Sequence, residues 1–265
     1  MEQDELRRHD GNAPFITPGT FGRGGDILAL QSTRHGGLSP DPWNSLNLGE
    51  NTLDDPRRVR ENMLILAKAA GFDASRTVGS LQVHGTEVLH AREPGHHSGY
   101  DAFITDTENL WLCIFTADCL PVLIYDPEQR AIGAAHAGWQ GTAAGIVGKT
   151  LHAMGEAFGS RPESCEAWIG TGISGDDYEV GAEVAAAAAF PEKCSMPGAE
   201  GKRLLDLGAA NRMQLLQAGV DEERIERAPY CSFRDEGMFF SYRRDNGRTG
   251  RMAAVIGIRP VSRRP

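Results

Sequence analysis

The clearest periodicity in the chain lies between Asp54 and Ala70 (DDPRRVRENMLILAKAA), where Val59, Met63, Leu66, Ala67 and Ala70 recur on one face of a 3.6-residue helix. Asp54 or Asp55 stands at the N-cap, Pro56 suits the first turn and Gly71 marks the stop. Short apolar runs bounded by Asp, Pro or Gly then predict strands at 77–83, 102–105, 110–117, 122–126 and 131–135. A helix follows over 141–158, closed by Gly159, and further helices are predicted at 183–190 and 207–218, the latter ended by Gly219. Further strands are expected at 168–170, 239–242 and 253–258, while the apolar patches of 13–33 and 44–48, broken by Gly and Pro, read as strands and turns. Strands outnumber helices and do not alternate with them one for one, so the pattern predicts an α+β fold with mixed sheets. No internal repeat or linker divides the chain, which favours one catalytic domain over 13–265 behind a disordered leader, 1–12.

Composition narrows the function classes. A formal net charge of −9 lacks the basic field that nucleic-acid or anionic-membrane partners require, so neither is expected. The leader MEQDELRRHDGN has no apolar h-region behind it, and no apolar run approaches the roughly 20 residues of a membrane helix. A cytoplasmic protein is expected. Its five scattered cysteines (113, 119, 165, 194 and 231) are then reduced, leaving each free for metal or nucleophilic work. The sequence shows no assembly motif, and a monomer is expected.

Three strand ends carry a metal-type ligand: His84 in LQVHG, Cys119 in TADCLP, where Pro121 is expected to block continuation of the strand, and His136 in AAHAGW. The separations are 35 and 17 residues, which match no zinc-finger spacing. One thiolate and two imidazoles would leave Zn²⁺ with a net charge of +1 and one open position, the arrangement of catalytic zinc, whose bound water has a pKa lowered towards ~7. Spacing alone leaves open whether the three residues meet, or whether each is an ordinary core or surface residue.

The words around these ligands resemble a known family over nearly the whole chain, from about Ile27 to Ile258. They are STRHGGLS, SLNLG, LQVHG, GYDAFITD, TADCLPVLIYD, AAHAGWQGT, IGTGIS and FFSYRRDNGRTGR, in that order. The family was once described as multicopper polyphenol oxidoreductases (laccases), and is now described as purine nucleoside phosphorylases with adenosine deaminase activity; it includes the bacterial peptidoglycan editing factor. The resemblance implies that His84, Cys119 and His136 ligate zinc in one centre, with copper as a substitute. It also implies a layered sandwich of helices around mixed β-sheets, similar to the catalytic domain of cytotoxic necrotizing factor toxins.

The laccase description fails a count: eight histidines and no His-x-His pair cannot assemble a multicopper cluster. Two histidines and a cysteine are nonetheless a blue-copper ligand set, so weak, secondary oxidase activity is chemically reasonable. A metal-independent cysteine hydrolase or amidase, with Cys119 as nucleophile and His136 as base, is the alternative, for example on muramyl-peptide precursors. The resemblance favours purine nucleosides and phosphate as small-molecule substrates. Deamination at C6 needs a proton shuttle, for which Asp101 is expected to serve ahead of Glu87 or Asp118. Phosphorolysis needs an anion holder, for which Arg34 and Arg243 are the candidates. Asn47 bonds base or ribose, or caps its own turn, and Phe240 and Tyr242 either stack on a purine or belong to the core.

Overall fold

The computed structural model describes residues 13–19, 21, 25–188, 190–199 and 201–260, so the expected leader lies outside the described residues. In chain order the strands are β1 (Phe15–Ile16), β2 (Ile27–Ser32), β3 (Thr77–Leu81), β4 (Val88–His90), β5 (Gly95–Ser98), β6 (Ala102–Thr105), β7 (Trp111–Thr116), β8 (Leu120–Asp126) and β9 (Ala131–Ala137), followed by β10 (Glu166–Ile169), β11 (Glu179–Gly181), β12 (Ser195–Pro197), β13 (Lys202–Leu205), β14 (Ile225–Arg227) and β15 (Met252–Ile258). The helices are α1 (Pro56–Ala70), α2 (Trp139–Ala143), α3 (Ile146–Phe158), α4 (Ala182–Ala188) and α5 (Leu207–Ala218).

Two six-stranded mixed sheets form the centre, in the orders β1-β2-β15-β7-β3-β5 and β14-β10-β8-β9-β6-β4; a small antiparallel sheet, β11-β13-β12, is separate. The central strands are apolar on both faces because both faces are covered. Leu112 and Ile114 of β7 and Ala254 and Ile256 of β15 meet Phe103, Leu123, Ile132, Ala134 and Trp168 of the second sheet. The alternate residues Trp111, Cys113 and Val255 turn outward onto Leu66, Ala67 and Ala70 of α1. On the far side, Val122, Ile124 and Ala135 pack against Ile146, Val147, Leu151 and Met154 of α3. The result is an α+β sandwich of four layers: helix, sheet, sheet, helix.

Several expectations change. The helix expected over 141–158 is two helices, because Gly145 takes a left-handed φ of 78° between α2 and α3. The stretch 239–242 is no strand: Phe239 and Phe240 are buried in a run of turns, stapled by Arg244, whose guanidinium donates to the carbonyls of Ser232, Phe233 and Phe239. Pro121 does not block continuation but lies inside β8, paired with His136. Its position falls just beyond the end of β10, whose register with β8 ends at Ile169–Val122; there the Pro121 carbonyl accepts the Gly170 N–H at 2.9 Å, and the missing proline N–H ends the ladder on that side. No described helix is long and apolar enough to cross a membrane.

Candidate metal centre

His84 and Cys119 stand where the chain passes from one large sheet to the other, in the β3–β4 and β7–β8 connections, and His136 is the penultimate residue of β9. Both connections need a residue in the left-handed region that non-glycine residues seldom occupy: His84 itself at φ 61° and Asp118 at φ 88°. Gln82 secures the first of them. Its side-chain amide donates to the Phe115 carbonyl at 2.9 Å and accepts from the Phe115 N–H at 2.8 Å, imitating a β-ladder onto β7. The three ligand atoms lie within 4.8 Å of one another, with Cys119 Sγ 3.9 Å from His84 Nε2. Gly138 leaves room for them, since a Cβ there would stand 3.0 Å from both Cys119 Sγ and His84 Cδ2.

Asp101 organises the cluster from behind. It is fully buried, and each carboxylate oxygen accepts two hydrogen bonds. Oδ1 receives the His84 N–H at 3.0 Å and His136 Nδ1 at 2.8 Å; Oδ2 receives the N–H groups of Val83 at 3.0 Å and Gly85 at 2.8 Å. Burial alone would raise this carboxyl; the bonds from His136 and the backbone outweigh it and hold it below the usual carboxylate range. With two hydrogen bonds on each oxygen, Asp101 faces the backbone of 83–85 and the His136 ring, and it meets the cluster through His136. The bond fixes His136 with Nδ1 turned to Asp101 and Nε2 turned to the cluster.

Burial also opposes the Cys119 thiolate, yet the imidazoles of His136 and His84 bring the thiol down to about 6. His136 moves the opposite way, to about 9: burial disfavours its charge, while Cys119 and Asp101 favour it more strongly. The pair is therefore poised as thiolate and imidazolium when no cation is bound. A thiolate and two imidazoles, oriented by a buried carboxylate, suit a borderline cation such as Zn²⁺.

The cluster lines a cavity of about 490 Å³ whose walls include Phe115, Trp139, Tyr178 and Tyr242. Arg243 borders it, stacked 5.1 Å over the Tyr178 ring, with its backbone N–H bound to Asp118 Oδ2 at 2.7 Å. Asp118 spends its other oxygen on Ser232 Oγ, so it is a strut of the cavity and no fourth member of the cluster. Arg34 is not among the cavity residues: it lies over Phe240, which is buried, and donates to the carbonyls of Asn44 and Glu236. Asn47 is buried too, and it organises a loop: Nδ2 bonds Thr52 and Asp54, and Oδ1 accepts from the backbone of Gly49 and Arg251. Sequence reasoning passed over Arg251, a cavity residue. Its signals were its place at the end of the word FFSYRRDNGRTGR and between a glycine and the last apolar strand.

Solved structures share this architecture. YlmD from Geobacillus stearothermophilus superposes with a TM-score of 0.91 at 32% identity, covering 97% of this chain and all (100%) of that one. A protein from Deinococcus radiodurans named purine nucleoside phosphorylase is 47% identical over 230 residues, 86% of this chain and 87% of its own length. The Escherichia coli protein named purine nucleoside phosphorylase YfiH is 39% identical over 236 residues, 88% of this chain and 94% of its own. The model of the multi-copper polyphenol oxidoreductase laccase family matches residues 28–259, and the chain belongs to that family.

Proposed function

We propose that this chain is a zinc-dependent purine nucleoside phosphorylase, acting on adenosine, inosine and methylthioadenosine, with adenosine deaminase activity. The observation that carries this reading is the juxtaposition of the His84–Cys119–His136 cluster with an aromatic-walled cavity of nucleoside size. The names of the relatives support the substrate class. Zinc would be held by Cys119 Sγ, His136 Nε2 and His84. When bound, it would supply Lewis-acid polarisation to a substrate in the adjoining cavity. The chain's own residues do the rest. Asp101 orients His136 and is a positioning residue. Trp139, Tyr178 and Tyr242 offer apolar faces to a purine ring, and Arg243 reaches the substrate from the cavity wall.

The lowered Cys119 thiol beside His136 favours one second reading, a cysteine amidase independent of metal. Incubation with adenosine and with inosine, each with and without phosphate, followed by product chromatography, separates the readings. Ribose-1-phosphate formed only with phosphate is expected, as is inosine from adenosine without phosphate. Loss of both on changing Cys119 to Ala, together with loss of one zinc per chain, completes the expectation. If neither product forms while a muramyl-peptide precursor is cleaved by metal-free protein, the amidase reading replaces it.

A further inference from the structure

We infer that Arg243 and Arg251 together form the subsite for inorganic phosphate, at the wall of the cavity that also bears the metal cluster. The inference rests on the phosphorylase reading for its consequence, and on the geometry of the two guanidinium groups for its site.

Arg251 is brought to the cavity by the SLNLG loop. Its backbone N–H is held by Asn47 Oδ1 at 2.9 Å and its carbonyl accepts the Leu48 N–H at 3.0 Å. Its aliphatic stem runs across Gly49, where any Cβ would collide with Arg251 Cγ. Its guanidinium lies 5.5 Å over the Tyr242 ring, and Nη1 donates to the carbonyls of Thr249 and Gly250. That leaves Nε and Nη2 without a protein acceptor among the described residues. Arg243 repeats the pattern, with its ring partner Tyr178 and one Nη1 bond to the Glu179 carbonyl.

Eleven ion pairs join described residues, and neither of these arginines belongs to one. Of the two carboxylates that line the cavity, Asp118 is already committed to Ser232 and to a backbone N–H, and Glu50 stands 3.8 Å from His96. Burial lowers the Arg251 pKa from its ordinary value, a cost that an arriving anion would reverse. In a chain of net charge −9, two guanidiniums are thus held on aromatic faces with donors unspent, inside one cavity. Two planar forks suit the several oxygens of a tetrahedral dianion. In phosphorolysis a phosphate oxygen forms the bond to ribose C1′ as the C1′–N9 bond breaks. The bonding pair leaves with the purine, which takes up the proton carried by hydrogen phosphate.

The test uses the zinc-loaded protein with inosine and with inorganic phosphate as probes. R243Q, R251Q and the charge-keeping R251K are compared with R161Q, an exposed arginine on Glu128 outside the cavity. For R243Q and R251Q the KM for phosphate is expected to rise by about ten-fold or more, with the KM for inosine little changed. R251K should recover part of the loss. Calorimetric titration with phosphate alone should show the same loss of affinity, and R161Q should match the unaltered protein. Unchanged phosphate KM and affinity in both variants would overturn the subsite, as would phosphate failing to bind the unaltered protein. Phosphate binding that needs both arginines, without any phosphorolysis of nucleosides, would retain the subsite and refute the phosphorylase reading.

Discussion

Replacing Asp101 by Asn changes one atom and tests how the centre is held. Four N–H groups converge on the carboxylate, two on each oxygen: those of Val83 and Gly85 on Oδ2, and those of His84 and His136 on Oδ1. An amide retains a single acceptor oxygen, so in either orientation its NH₂ confronts two donors. Each charge-assisted bond contributes about 1.5–3 kcal/mol, and the loss of two predicts about 3–6 kcal/mol of destabilisation. That is a large share of the roughly 5–15 kcal/mol by which a domain is stable. The same change frees the His136 ring and the left-handed His84 backbone, for which a loss of zinc affinity of about 10–100-fold is expected. Denaturant unfolding of the metal-free protein measures the first effect, and competition with a calibrated chelator the second. If D101N binds zinc within about two-fold of the unaltered protein and unfolds within about 1 kcal/mol of it, the carboxylate does not organise the centre.

Other outcomes follow from the same geometry. Because its bonds hold the Asp101 carboxyl low, its stabilisation is fully present above about pH 4 and is lost as the pH falls through the lowered folded-state value. D101N should accordingly flatten the acid limb of the stability–pH curve of metal-free protein, and an unaltered limb would contradict the assignment. In metal-free protein at neutral pH, iodoacetamide should modify Cys119 well before Cys113 and Cys165, whose thiols burial pushes up to about 12. Mass spectrometry reads the site, and added zinc should protect it. G138A pushes a methyl to 3.0 Å from Cys119 Sγ and His84 Cδ2, and should lower zinc stoichiometry under chelator challenge with little change in melting temperature. G257A drives a Cβ into the Trp111 indole at the α1 face, so it should cost about 1–3 kcal/mol in unfolding while zinc binding persists.

Local signals in the sequence account for most of the framework. The helix 207–218 and the strand 102–105 appear at the expected bounds because caps and apolar runs are local quantities. Gly145 hides its break inside an uninterrupted helical pattern, since a glycine in sequence does not declare its φ. Phe239 and Phe240 mimic a strand because burial of turns and burial of strands demand the same apolar residues. At the centre, the three ligands could be named from the family's words. The meaning of Asp101 could not, because its donors come from loops and strands 16 to 35 positions away. That Arg251 lines the cavity while Arg34 does not was hidden for the same reason. Which arginine reaches a cavity depends on the path of a distant loop, here Asn47 and Gly49.

Two of the three ligands stand on the links by which the chain leaves one large sheet for the other, and the third is a strand of the second sheet. A cation drawn in by all three would therefore clasp the sandwich across its seam. The ligand set exists only once both sheets have docked, so metal and fold report on each other. Free metal at one hundred times its Kd would add about 2.7 kcal/mol to folding by mass action, and chelation would withdraw it. Shear of one sheet over its neighbour would have to break the clasp before it could disturb the core.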